Sequence, residues 1–177
     1  METALLILSI ICFAGAVALI FVREMLAPVG AFLGLLFMWL SNSLPLNSTI
    51  IIMWLCMSAL VTCVPMLQDS FTRARRDGLG YMTAGAFTGL AVGLLGITFA
   101  DTPSMLYGIM IVATAAGTFF GYMLYTNTPN GRAMNPASRR SFGYLLAKGF
   151  PIAITAMEIG VVLVLLLLVS QAHTTAA

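Results

Sequence analysis

Six apolar runs follow one another along the chain, separated by short segments that collect nearly all of its charge and most of its turn-forming residues. They cover about residues 5–22, 25–40, 49–67, 79–100, 105–126 and 149–170. A helix rising about 1.5 Å per residue needs roughly 20 such residues to cross a hydrocarbon core of about 30 Å. The second run is the shortest and contains Pro28, and only Arg23 and Glu24 part it from the first, so these two form a tight hairpin. The pattern predicts an all-α integral membrane protein, a single domain over residues 1–177 built as a bundle of about six transmembrane helices.

Composition strengthens this reading. Of the 177 residues 60% are hydrophobic and 8% charged, against roughly 25% charged in soluble domains. A net charge of +2 gives no ground for nucleic-acid binding. The cations also set an orientation. Arg23, then Arg73, Arg75 and Arg76, then Arg132, Arg139, Arg140 and Lys148 all fall in alternate connections, while the segments SNSLPLNS and DTPS contain none. The positive-inside rule places the basic side in the cytoplasm and both termini on the other side. The first run has no Lys or Arg before it, so it reads as a retained helix rather than a cleaved signal. The compact loops suit a bacterial inner membrane. The pattern Asn47-Ser48-Thr49 is a glycosylation acceptor only in a eukaryotic secretory setting.

Chemistry is sparse. Cys12, Cys56 and Cys63 all lie inside apolar runs and match no zinc spacing, and the single histidine, His173, sits in the tail. A haem held by paired histidines inside the membrane is thereby excluded. No cofactor, metal site or enzyme is expected, because no Ser, His or acid constellation gathers at one end of the runs.

Small residues mark possible packing faces. Gly85, Gly89 and Gly93 repeat every four residues in the fourth run, with Gly96 beyond. The fifth run carries Gly117 and Gly121 beside Ala113 and Ala116, and the second carries Gly30 and Gly34. Such stripes let helices approach closely, either within one chain or against a copy of itself or another subunit.

Glu158 is the sharpest candidate. It lies near the middle of the last run, whereas Glu2, Glu24, Asp69, Asp77 and Asp101 fall near a terminus or in connections. A charge at the bilayer centre costs about 2.5–3.5 kcal/mol on insertion scales, and more in simulations. Desolvation therefore favours the protonated acid. No basic residue within a run is available to pair with it. One reading has Glu158 hydrogen-bonded to a neighbouring helix through Thr88, Thr114 or Thr118. The other has it bind and release a proton or cation, with Thr155 beside it.

The connection NTPNGRAMNPASRRSFGYLLAKGFP completes the set. From Ser138 onward Phe142, Leu145 and Leu146 share a face, which predicts a short interfacial helix before the last span. Arg73, Arg75, Arg76, Arg139, Arg140 and Lys148 would then meet lipid headgroups or a partner, and Pro151 predicts a bend. Within this segment AMNPASRRSFG resembles the second Asn-Pro-Ala box of aquaporins. It departs from that family in having one box rather than two, on the basic side, followed by paired arginines. An Asn-Pro loop followed by a helix with a central Glu also resembles the C-terminal hairpin of rotary ATPase proteolipids. There the separation of Pro136 from Glu158 and the absence of the close-spaced inner-helix glycines depart from the pattern, so membership follows in neither case.

The function expected from these features is that of a non-enzymatic subunit of a multi-component membrane complex (respiratory, secretion or transport), packing against partner helices and shaping a membrane path. The alternative is a small homo-oligomeric proton or cation channel that uses Glu158. The expected partners are the lipid bilayer and other membrane subunits or further copies, with no nucleic acid.

Overall fold

The computed structural model describes residues 2–42, 46–66, 78–96, 102–133 and 143–175, and all regular structure among them is helical. Six longer helices are α1 (Glu2–Arg23), α2 (Ala27–Leu40), α3 (Ser48–Met66), α4 (Leu79–Leu95), α5 (Pro103–Asn127) and α6 (Phe150–Thr175). Three stretches are long and apolar enough to cross a membrane: Glu2–Leu40, Ser104–Asn127 and Leu145–Val169. Two shorter apolar helices cover Ser48–Cys63 and Leu79–Leu95.

The first stretch is folded back on itself. At Arg23 the backbone leaves the helical region (φ −148°, ψ 83°), and a single 3-10 turn over Glu24–Leu26 leads into α2. Pro28 falls in the first turn of α2, where a missing N–H leaves no helical bond unmade. The two helices run antiparallel and touch closely. Ser9 Oγ on α1 donates to the Gly34 carbonyl on α2 at 2.8 Å. A Cβ on Gly34 would lie 3.0 Å from the Phe13 ring, and one on Gly30 would lie 3.3 Å from the Ala16 methyl. α2 ends at Asn42, whose φ of 56° is the left-handed conformation that stops helices and that Asn tolerates.

α4 and α5 pack through their glycines. Cβ atoms added at Gly85, Gly89 and Gly121 would strike the backbone carbonyls of Gly117, Ala113 and Tyr81, and one at Gly93 would lie 2.7 Å from Met110 Cα. The pairing 85 with 117 and 93 with 110 makes these helices antiparallel, with their backbones in contact. α5 begins on a side-chain cap, with Thr102 Oγ1 accepting from the Met105 N–H at 3.3 Å and Pro103 following.

α6 is the central helix. In its most apolar window 67% of residues are buried, against 17% for the first stretch and 28% for the second, Ser104–Asn127. A helix that is apolar on every side buries every side, and residues 151–158 are buried without interruption. It enters through a π-turn over Leu145–Gly149, in which the Phe150 N–H reaches back five residues to the Leu145 carbonyl. Pro151 explains this widening: it has no N–H, and its ring displaces the carbonyl four residues back. The bend expected at Pro151 is thus a local π-turn. The interfacial helix expected from Ser138 lies outside the described residues up to 142. From Gly143 the chain runs straight into α6, with Tyr144, Ala147 and Lys148 buried.

Candidate functional site

α3 presents Ser58 and Thr62, one turn apart on the same face, toward the interior. Ser58 Oγ donates a short hydrogen bond to Oε1 of Glu158 on α6. Thr62 Oγ1 donates to the Ser58 carbonyl at 2.7 Å and also reaches the Met25 carbonyl at 3.3 Å. Met25 follows Glu24 in the 3-10 turn. Glu24 Oε1 is ion-paired with Lys148 Nζ from the π-turn. One continuous polar seam therefore joins the α1–α2 turn, the inner face of α3 and the middle of α6.

Both carboxyls are deep. Glu158 is 0% exposed, Glu24 3% and Lys148 2%. The second oxygen of each carboxyl, Oε2 of Glu24 and of Glu158, has no hydrogen-bond partner among the described residues. Lys148 and Glu158 are ten residues apart on one helical path, a rise of about 15 Å. That is about half of a hydrocarbon core.

Several expectations are revised by this geometry. Lys148 does not reach lipid headgroups; it is enclosed and paired with Glu24. Glu24 is not a loop acid but a buried one, because the 3-10 turn tucks it beneath the π-turn. Glu158 does take a hydroxyl partner, but the partner is Ser58. Of the three threonines anticipated, Thr88 is exposed, while Thr114 and Thr118 donate to carbonyls of their own helix, Met110 and Thr114, at 2.7 and 2.8 Å. Thr155 is buried beside Glu158 but donates to the Pro151 carbonyl at 2.8 Å. Arg73, Arg75, Arg76, Arg139 and Arg140 lie outside the described residues. Gly85, Gly89, Gly93, Gly117 and Gly121 are brought together along the α4–α5 contact.

Ser58, with Thr62 beside it, and Glu24 are the seam residues that sequence reasoning missed. A signal for the first was present in Ser58-Thr62, a hydroxyl pair four residues apart within an otherwise apolar run. The second was masked because its partner stands 124 residues away.

The buried polar side chains are unevenly distributed. On the side of the α1–α2 turn, or level with Glu158, lie Glu24, Lys148, Thr62, Thr83, Thr118, Ser58, Thr114 and Thr155. On the far side lie Ser9 and Ser41, whose hydroxyls are taken up by the carbonyls of Gly34 and Met38. Beyond Glu158 the interior closes on Leu35, Ile51, Val161, Val162, Val164 and Leu165 in one apolar cluster.

Chemically the arrangement offers an acid that can gain or lose a proton. Among the described residues no group of three His, Cys, Asp or Glu side chains is placed to hold a metal. Cys12, Cys56 and Cys63 carry no disulfide. No family model matches the chain, and comparison with curated proteins and with solved structures finds no match.

Proposed function

We propose that this chain is a non-enzymatic membrane protein whose six helices cross the bilayer and shape a path in which Glu158 takes up and releases a proton or small cation. The observation that carries this reading is the buried Glu158 carboxyl, bonded to Ser58 through one oxygen and open at the other. A purely structural carboxyl gains most when both oxygens are satisfied, because each buried polar atom left without a partner costs about 1–3 kcal/mol. Ionisable residues inside a membrane are rare and mark ion and proton routes.

The test is flux. Purified protein in liposomes loaded with a pH-sensitive dye is expected to dissipate an imposed pH gradient, and Glu158→Gln to lower the rate at least tenfold. Wild-type flux in that variant excludes the role.

The proposed placement has the α1–α2 turn, Arg132 and the π-turn at the cytoplasmic face of an inner membrane, and both termini opposite. It rests on the eight cations sharing alternate connections. In a chain freed of native cysteines, Thr102→Cys is expected to react with an impermeant maleimide added outside intact cells, and Arg132→Cys only after lysis. The reverse pattern inverts the assignment. Both positions are exposed.

A second reading, a subunit that packs into a larger assembly, is favoured by the outer face of α4 and α5. There an open groove of about 530 Å³ is floored by Ala84, Gly85, Ala113 and Gly117 and walled by Tyr81 and Phe120. Native mass spectrometry after gentle extraction separates the two readings: stoichiometric partner chains favour the subunit, and a lone chain or ring favours the self-contained path.

A further inference from the structure

We propose that the ligand of Glu158 is a proton, and that in this conformation it reaches the carboxyl from the side of the α1–α2 turn, past the Glu24–Lys148 pair and the hydroxyls of Thr62 and Ser58, the opposite half of the path being closed. This rests on the reading of Glu158 as an exchanging group, and it names both the ligand and the route.

The ligand follows from the number of oxygens. A bound metal cation must have its water shell replaced by several oxygens, and divalent ions take about six or more. Among the described residues Glu158 has one polar side-chain partner, Ser58, which spends its hydrogen on Oε1. The nearby hydroxyls of Thr62 and Thr155 are turned to backbone carbonyls. That set is too poor for a cation. A proton needs one acceptor, and Oε2 is unpartnered.

The route follows from the asymmetry of the interior. Toward the turn, Ser58 is followed one turn along α3 by Thr62, whose hydroxyl reaches the Met25 carbonyl beside Glu24, and Glu24 is paired with Lys148; these polar groups run among the apolar Val61, Ile154 and Met157. Away from it, the interior is filled by Leu35 from α2, Ile51 from α3, and Val161 and Leu165 from α6. Among the described residues the ionisable side chains buried along the polar half are Glu24, Lys148, Tyr122, Tyr125 and Tyr144, with half-buried Tyr107 on α5 toward the apolar half. The Glu24–Lys148 pair brings no net charge to the entrance, so a proton passes it without meeting an isolated like charge. The exchange is a plain protonation. A hydronium ion on the turn side gives up its proton: one of its O–H bonds breaks as an O–H bond forms at Oε2 of Glu158, leaving neutral water, and release toward that side reverses the step.

Infrared spectroscopy of the full-length protein in nanodiscs tests this. The carbonyl stretch of the protonated Glu158 carboxyl is identified as the band lost in Glu158→Gln, and its shift after a switch from H2O to D2O reports how fast the proton exchanges. The expected result is exchange at least tenfold slower in Thr62→Val and in the paired variant Glu24→Gln/Lys148→Met, with wild-type rates in Val161→Thr from the apolar layer. Thr62→Val nearly preserves shape, so it carries the test if the paired variant does not fold. Unchanged exchange in Thr62→Val overturns the route. A Glu158 band abolished by sodium chloride at fixed pH overturns the ligand. Absence of any Glu158 band between about pH 5 and 9 instead removes the underlying reading of Glu158 as a proton acceptor.

Discussion

Lys148→Met is expected to destabilise the protein by about 3–5 kcal/mol, because it leaves the Glu24 carboxylate buried without its counter-charge. The same change at a cation lying among lipid headgroups would cost no more than about 0.5 kcal/mol. The two placements are therefore separated by several kcal/mol. Glu24→Gln alone strands the ammonium instead and is expected to cost a similar amount. The double variant Glu24→Gln/Lys148→Met is expected to recover most of the loss, since replacing a buried pair by neutral groups of similar size is often close to neutral. Thermal unfolding in mild detergent, arranged as a double-mutant cycle, gives the coupling directly. Additive losses would mean that the two side chains do not meet. The pair has the short contact and the burial, 2% and 3% exposed, that give a cycle its largest signal.

The second large effect lies at the α4–α5 contact. Gly117→Leu is expected to cost at least about 3 kcal/mol, the upper end for overpacking, and to part the two helices. A Cβ at Gly117 would strike the Gly85 carbonyl and sit 2.9 Å from Gly89 Cα. These are backbone atoms of a neighbouring helix, which a rotamer change cannot move aside. Gly80 and Gly108 lie on the same two helices and have nothing within 4 Å of an added Cβ. Gly80→Ala and Gly108→Ala are accordingly expected to be neutral or to stabilise by up to about 1 kcal/mol, through loss of backbone freedom in the unfolded chain. A uniform response across the three sites would mean that helix propensity rather than contact governs this face.

These two predictions differ in how far the sequence alone could have reached them. The glycine stripe was legible, because spacing of four residues is itself the geometry of one helix face and needs no knowledge of the partner. Its correspondence with Gly117 and Gly121 required only that neighbouring helices run antiparallel. The helical class and the apolar runs were legible for the same local reason, and α1 and α5 begin and end near the expected residues.

Long-range pairing was not legible. Lys148 stands among the basic residues of a connection and reads as one more of them. Its burial depends on a π-turn forced by Pro151 and on the return of the α1–α2 hairpin to the same end of the protein. Likewise Ser58 was one hydroxyl among several, and choosing it over Thr114 or Thr118 requires the rotation of α3 about its own axis. No period in the sequence records that rotation, since α3 carries apolar residues on all faces. The deep carboxyl at position 158 was visible because charge in an apolar run is conspicuous wherever its partner lies.

The separation of Glu24 and Lys148 also bears on how the protein is made. The hairpin that carries Glu24 leaves the ribosome long before residue 148 is synthesised, 124 positions later. Through that interval the acid has no Lys148 to pair with. The pair that encloses it is complete only once the π-turn ahead of the last helix has formed. Chains halted before Lys148 therefore lack the partner that joins the first hairpin to the last helix.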